Sequence, residues 1–400
     1  MKRFVHHSAL SWYIVVYILL VSQPTFGQNQ KDTIVDSVDA LYQRAETLFN
    51  SDYPTEESDQ EALELYQAAI ARHQQVGAWL VRGDCYHKMG IIYLEQGDAR
   101  NALDCFHRAI VTRQAISEDS TNYEDYLYLG DVQFMKSAID SARYYYQQAE
   151  KLLVAYPNTK KKDKLYNSLG NYYFSLGNYQ QAKNYLYKSL QLAESRAEIE
   201  AVEEDIIRNN IAIADEKLGN YNESISAFKS LLKNGLYTHA ILHNLGVAYG
   251  GKKQYDSAIH YLQQAIPLSN GRIKNITLNH LGFAYTQLGN LDAASVYYNA
   301  SLILNDSLFN DKNVILANAY RGIGDVKASQ LALDSALYYY QKSLSAQVFS
   351  FDSQDIYSNP TDFAKAISLL YLFETLNQKA AVFRKMYKRD NRLNDLNHSL

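Results

Sequence analysis

Asparagine and histidine recur at related places in four successive stretches: Asn167 and Asn171, Asn209 and Asn210, His243 and Asn244, then Asn279 and His280. A carboxamide offers two N–H donors and a carbonyl acceptor, so a row of them can hold a peptide backbone without reading its side chains. Other chemistry is thinner. His239 and His243 lie four apart, with His260 further on, a spacing that can ligate a metal. No Asp, Glu or Cys completes that set, which reads as surface histidines. Cys85 and Cys105 are the two cysteines. They could bridge in an oxidising compartment, and neither has a nucleophile's surroundings. A Gly-rich phosphate loop, His-Glu-x-x-His, Gly-x-Ser-x-Gly and Cys-x-x-Cys are all missing. The sequence therefore nominates no catalytic residue, no cofactor-binding residue, no cofactor and no metal ligand, and the chain is expected not to be an enzyme.

Composition narrows the class. The 400 residues carry 39 Lys and Arg against 43 Asp and Glu, a formal charge of −4, which argues against a nucleic-acid partner. Tyrosine is abundant at 35 residues, whereas Pro numbers 5 and Gly 18, a balance that favours helices packed through aromatics over turn-rich strands. Residues 1–27 have the layout of a secretory signal peptide. Lys2 and Arg3 precede an uncharged apolar run from Ala9 to Val21, and Thr25 and Gly27 place small residues before Gln28. The run is short for a membrane span of roughly 20 residues. The expectation is an extracytoplasmic protein, periplasmic or secreted, cut after Gly27, with no stable membrane span after cleavage.

The polar row is positioned by a repeating frame. A small residue recurs at Gly90, Gly130, Gly170, Ala212, Gly246, Gly282 and Gly324, at spacings of 40, 40, 42, 34, 36 and 42. Twelve residues after each stands Ala102, Ala142, Ala182, Ser224, Ala258, Ala294 or Ala336. Four further on comes a large apolar residue: Phe106, Tyr146, Leu186, Phe228, Leu262, Tyr298 or Tyr340. The pattern predicts two antiparallel helices per repeat, in contact through their small residues, with the large side chain one turn away filling the groove. Gly97-Asp98, Gly177-Asn178, Gly219-Asn220 and Gly289-Asn290 mark the turn between them.

This frame resembles the tetratricopeptide repeat, a 34-residue helix–turn–helix unit. Seven copies agree, and Leu41 to Gln75, with Ala45 and Ala62 at the small positions, reads as a degenerate eighth. The expected fold is all-α: a right-handed α-solenoid of about eight such units behind a signal peptide. Residues 28–40 are expected as a linker, 41–350 as the solenoid and 351–400 as a C-terminal helical segment. The resemblance implies that the first helix of each repeat lines a concave groove that binds protein or an extended peptide. The polar residues stand two or three before the small residue, or one after it, and resemble the asparagine ladder of family members that hold extended peptides. The family's other device, a Lys/Arg carboxylate clamp, has no match, because Lys164 and Arg321 are too far apart. A non-catalytic binding scaffold of the bacterial cell envelope is the resulting expectation.

Beyond Ser350 the register is lost. Asn359-Pro360 signals a turn, and Asp362 to about Lys388 reads as one helix with apolar Phe363, Ile367, Leu370, Leu376, Ala380 and Phe383. Long repeats followed by this tail also resemble the region ahead of a caspase-like CHAT domain. That resemblance implies the alternative, the sensory or regulatory part of a protein whose effector domain is missing from this chain.

Overall fold

The computed structural model describes residues 28–391 and Asn397, leaving out residues 52, 74–78, 117–119, 158, 160–161, 196–200, 236 and 309–310. The segment read as a signal peptide lies outside the described residues. Those residues form seventeen α-helices, two 3-10 turns and one isolated bridge, Val348 to Ala366, with no strand. They group as two compact units, residues 1–176 with 191–195, and residues 177–190 with 196–400.

The first unit holds α1 (Gln28–Phe49), α2 (Glu56–His73), α3 (Trp79–Glu95), α4 (Ala99–Gln114), α5 (Asn122–Met135), α6 (Ile139–Ala155) and α7 (Lys162–Ser175). The second holds most of α8 (Tyr179–Glu194), then α9 (Ala201–Lys217), α10 (Tyr221–Lys233), α11 (Thr238–Gly251), α12 (Tyr255–Ala265), α13 (Gly271–Gln287), α14 (Leu291–Leu308), α15 (Val314–Ser329), α16 (Leu333–Gln347) and α17 (Leu369–Asp390). Pro267 lies in the 3-10 turn Ile266–Leu268, outside the helices it would break.

The expected small-to-large contact builds each pair. A Cβ added to Gly90 would come within 2.7 Å of the Phe106 ring, one on Gly282 within 2.7 Å of Tyr298, and one on Gly324 within 2.6 Å of Tyr340. Each ring lies flat on bare backbone, and the facing Ala102, Ala294 and Ala336 are fully buried. The turns also follow the reading. Gly97, Gly177, Gly219 and Gly289 take φ of 78°, 74°, 82° and 76°, the left-handed region that glycine enters at no steric cost. Asp98, Asn178 and Asn290 then accept a backbone N–H at 3.1 Å from the residue three on, capping the second helix. Asn220 departs from this pattern and donates to Asp215 at 2.9 Å instead.

Hydrophobic burial is divided among small clusters, each shared by neighbouring helices. Stability is therefore close to a sum over repeats and their interfaces.

Both ends depart from expectation. Residues 28–40 are not a linker but the opening turns of α1. Val38, Ala45 and Phe49 are buried, with Leu41 and Tyr42 packed beside them, a helical stripe that extends the degenerate repeat. The tail is not one helix from Asp362. Residues 348–368 form a strap, and α17 begins only at Leu369. Ile367 donates its backbone N–H to the Gln347 carbonyl at 2.8 Å, and Phe349 donates to Lys365 at 3.3 Å, so these groups are spent across the strap rather than along a helix. Lys312 donates to the Val348 and Phe351 carbonyls at 3.1 and 2.7 Å. From the other side Lys379, only 2% exposed, donates to Gln341, the Ser358 carbonyl and Asn359 at 2.7, 2.9 and 2.9 Å. The face of α17 that packs is Leu372, Thr375, Lys379, Val382, Phe383 and Met386, while Leu370 and Phe363 are exposed.

Candidate binding groove

In the second unit the odd-numbered helices α9, α11, α13, α15 and α17 touch in succession, and in the first α1 touches α3 and α5 touches α7, whereas no even helix touches another to a comparable extent among the described residues. The odd helices are thus the more closely spaced layer, and each stack bends towards them. Their outward polar positions face the inside of that bend.

In the second unit α9, α11 and α13 carry Asn209 and Asn210, His243 and Asn244, and Asn279 and His280, all half-buried. The amides connect in series. Asn244 donates to the Asn209 carbonyl oxygen at 3.2 Å, and Asn209 donates to Asn210 at 3.4 Å. Asn279 donates to the Ile315 backbone carbonyl at 2.9 Å, tying α13 to α15. The row is therefore partly structural, because its N–H groups link neighbouring inner helices. The Asn279 Oδ1 atom is enclosed with no hydrogen-bond partner.

The two histidines form a pair with ring centroids 5.3 Å apart at 70°. Thr277 donates its hydroxyl to the Ile273 carbonyl at 2.8 Å, so its oxygen receives the Nδ1 proton of His243, also at 2.8 Å. That fixes the tautomer and leaves Nε2 as an acceptor. Burial, then His280 and Lys217, pull His243 down to about 3, and burial with Lys217 pulls His280 down to about 4. Both rings are neutral at physiological pH. Burial also lowers the Lys217 ammonium, but Glu216 at 3.0 Å outweighs it and holds the charge on the lysine. His260 takes no part in this pair and bonds Gln264 at 2.7 Å. The described residues contain no group of three or more His, Cys, Asp or Glu able to hold a metal.

Asn167 and Asn171 occupy α7 of the first unit, both half-buried, and Asn167 Oδ1 is likewise enclosed without a partner. The same unit contains a charged core. Arg113, 2% exposed, binds Asp125 and, at 2.7 Å, Asp84, while His87 meets Asp125 at 2.8 Å. Cys85 and Cys105 are free thiols in the apolar cluster around Phe49, Tyr66 and Ile92. Burial raises both, Cys105 to about 12, so neither is a thiolate.

Sequence reasoning missed the apolar part of the inner face. Phe283, one residue after Gly282, is 45% exposed, and Ile206 and Ala240, six residues before their small residues, line a cleft next to Asn209. The six-residue offset was the available signal. Arg321, three before Gly324, belongs to the polar row by position, but it pairs with Glu374 and lies over the Tyr371 ring at 5.5 Å.

Stacked helix pairs with one helix of each facing inward define an α-solenoid, a class whose inner face serves as an extended interaction surface. Models described as tetratricopeptide repeat match residues 87–158, 163–235, 239–270 and 274–347. The chain belongs to the tetratricopeptide repeat family and is a protein-interaction scaffold of that type. It is 25% identical over 225 residues to the BBSome complex member BBS4 of Bos taurus, spanning 55% of this chain and 38% of that protein. Its fold is similar to the apo form of the quorum sensor NprR from B. thuringiensis, with a TM-score of 0.61 at 12% identity over 93% of this chain and 98% of that one. It is also similar to a tetratricopeptide repeat protein of Parabacteroides merdae, with a TM-score of 0.51 at 17% identity over 74% and 99% of the two chains. The family matches end at residue 347 and assign nothing to the tail.

Proposed function

We propose that this chain is a non-catalytic scaffold of the bacterial cell envelope whose inner face in the second unit holds an extended peptide or an extended segment of a partner protein. One observation carries the reading. Three successive inner helices, α9, α11 and α13, present amides and neutral imidazoles on one face, linked to one another. An extended peptide exposes a backbone N–H and a carbonyl at every residue, groups that the Nε2 acceptor of His243 and the amides of the row complement. The polar groups are tied in place before a ligand arrives, which reduces the entropy lost on binding. The envelope location rests on the signal-like first 27 residues.

The test is affinity capture from envelope extracts, using the chain and a triple variant, Asn209→Ala, Asn244→Ala and Asn279→Ala. The expected result is a partner retained by the first and lost by the second, with melting temperatures within a few degrees. Equal capture by both overturns the groove.

A second reading, a sensory part controlling an effector elsewhere, is favoured by the fold it shares with the quorum sensor NprR. It differs in outcome: the bound species is then a small soluble peptide rather than a protein.

A further inference from the structure

Beside Asn209, between α9 and α11, the inner face opens into a cleft of about 220 Å3. Ile206, Leu231, Ala240 and Ile241 make its walls apolar. An apolar cavity of about 150 Å3 accommodates benzene, so this one admits a leucine- or phenylalanine-sized side chain. One further feature is not explained by packing. Asp205 lines the same cleft, is only 9% exposed, and pairs with no cation among the described residues. Both its oxygens accept from a single neutral donor, Asn234 Nδ2, at 2.9 and 3.0 Å. The basic residue one turn on, Arg208, binds Glu204 at 2.6 Å. A carboxylate so enclosed calls for a positive partner. Tyr237, also lining the cleft, holds φ at +49° where it caps α11, and the residue is 52% exposed.

We infer that this cleft captures the amino terminus of a peptide whose first residue is apolar, an inference that rests on the groove reading above. The α-ammonium pairs with Asp205, the first side chain fills the cleft, and the backbone that follows runs along Asn209 and Asn244. Charge complementarity selects this occupant. In an N-terminal residue the ammonium and the side chain branch from one carbon, as the carboxylate and the apolar walls share one cleft. A lysine side chain reaching Asp205 would bring only its unbranched stem to the apolar walls, where an N-terminal residue brings a whole apolar side chain beside its ammonium.

The experiment is calorimetric titration of the full chain with the peptide Leu-Ser-Ala-Ser-Gly-Ser, its N-acetylated form, and the form beginning with Ser. Acetylation and Leu→Ser at the first position are each expected to weaken binding at least tenfold. In Asp205→Asn the free and acetylated peptides are expected to bind alike. Should that variant lose its fold, Ala240→Trp fills the cleft without touching the charge and is expected to abolish binding of the leucine peptide. Equal binding of free and acetylated peptide to the unaltered chain, or no binding of the free peptide, overturns the inference. Equal binding that is lost in Asn244→Ala overturns the captured amine alone and leaves the groove standing. Binding unchanged by Asn244→Ala overturns the groove itself.

Discussion

Tyr298 lies between two glycines, and Gly282→Ala probes what that arrangement is worth. A Cβ at Gly282 would stand 2.7 Å from Cε1 of the ring and 2.8 Å from Cδ1 and Cζ. Carbon atoms prefer about 3.5–4.0 Å, so the overlap is close to 1 Å. The ring has no room to retreat, because its far side presses on Gly322 of α15 and it is only 3% exposed. Two terms oppose each other. Alanine is favoured over glycine inside a helix by roughly 1 kcal/mol. Overpacking a filled interior costs about 1–3 kcal/mol, and a ring held by backbone on both sides belongs at the upper end. The net is a loss of about 2 kcal/mol, confined to α13–α15 because repeats couple only to their neighbours. Amide hydrogen exchange resolved by helix reads it out. Placed in a Tyr298→Leu background, the same substitution meets no ring and is expected to stabilise by roughly 1 kcal/mol. That reversal of sign is the diagnostic result. Stabilisation by Gly282→Ala in the unaltered chain refutes the packing argument.

Arg113→Met in the first unit leaves Asp125 fully buried beside His87 without its guanidinium, and the expected loss is about 3–5 kcal/mol by urea unfolding; replacing Asp125 with leucine as well recovers most of it. His243 and His280 titrate at about 3 and about 4 in the folded chain against about 6.5 unfolded, so the unfolded chain binds more protons in between. Stability therefore falls as pH drops from 6.5 to 4. His243→Gln or His280→Gln is expected to remove roughly 1–2 kcal/mol of that loss, allowing for partial exposure of the rings; melting curves as steep in pH as those of the parent contradict it. Edman sequencing of the chain recovered from the cell envelope is expected to begin at Gln28, and a chain starting at Met1 in the cytosol refutes the signal reading.

The repeat architecture was legible because its defining contact lies within one helix pair. Gly282 and Tyr298 are sixteen residues apart in sequence, and every copy repeats that offset. The turns were legible for the same reason, since Gly97 and Asp98 act within their own loop. The strap was not, because it is held by groups far apart in the chain, Lys312 to Phe351 and Lys379 to Ser358, which no periodicity announces. The start of α1 was missed because its helical stripe precedes the first recognisable small residue, Ala45. Within the groove, register placed Asn209, His243 and Asn279 on the inner layer. Register could not show that Asn279 spends its N–H on Ile315, which depends on the helix two places on. The cleft escaped notice because Tyr237 comes from a connection and Asp205 from a buried turn of α9, each outside the repeat pattern.

The most direct measurement is the hydrogen-exchange footprint of a captured partner on the full chain. The account predicts protection concentrated in α9, α11 and α13, at Asn209, His243, Asn244, Asn279 and their neighbours, and lost in the triple asparagine variant. Protection confined to the even-numbered helices contradicts it.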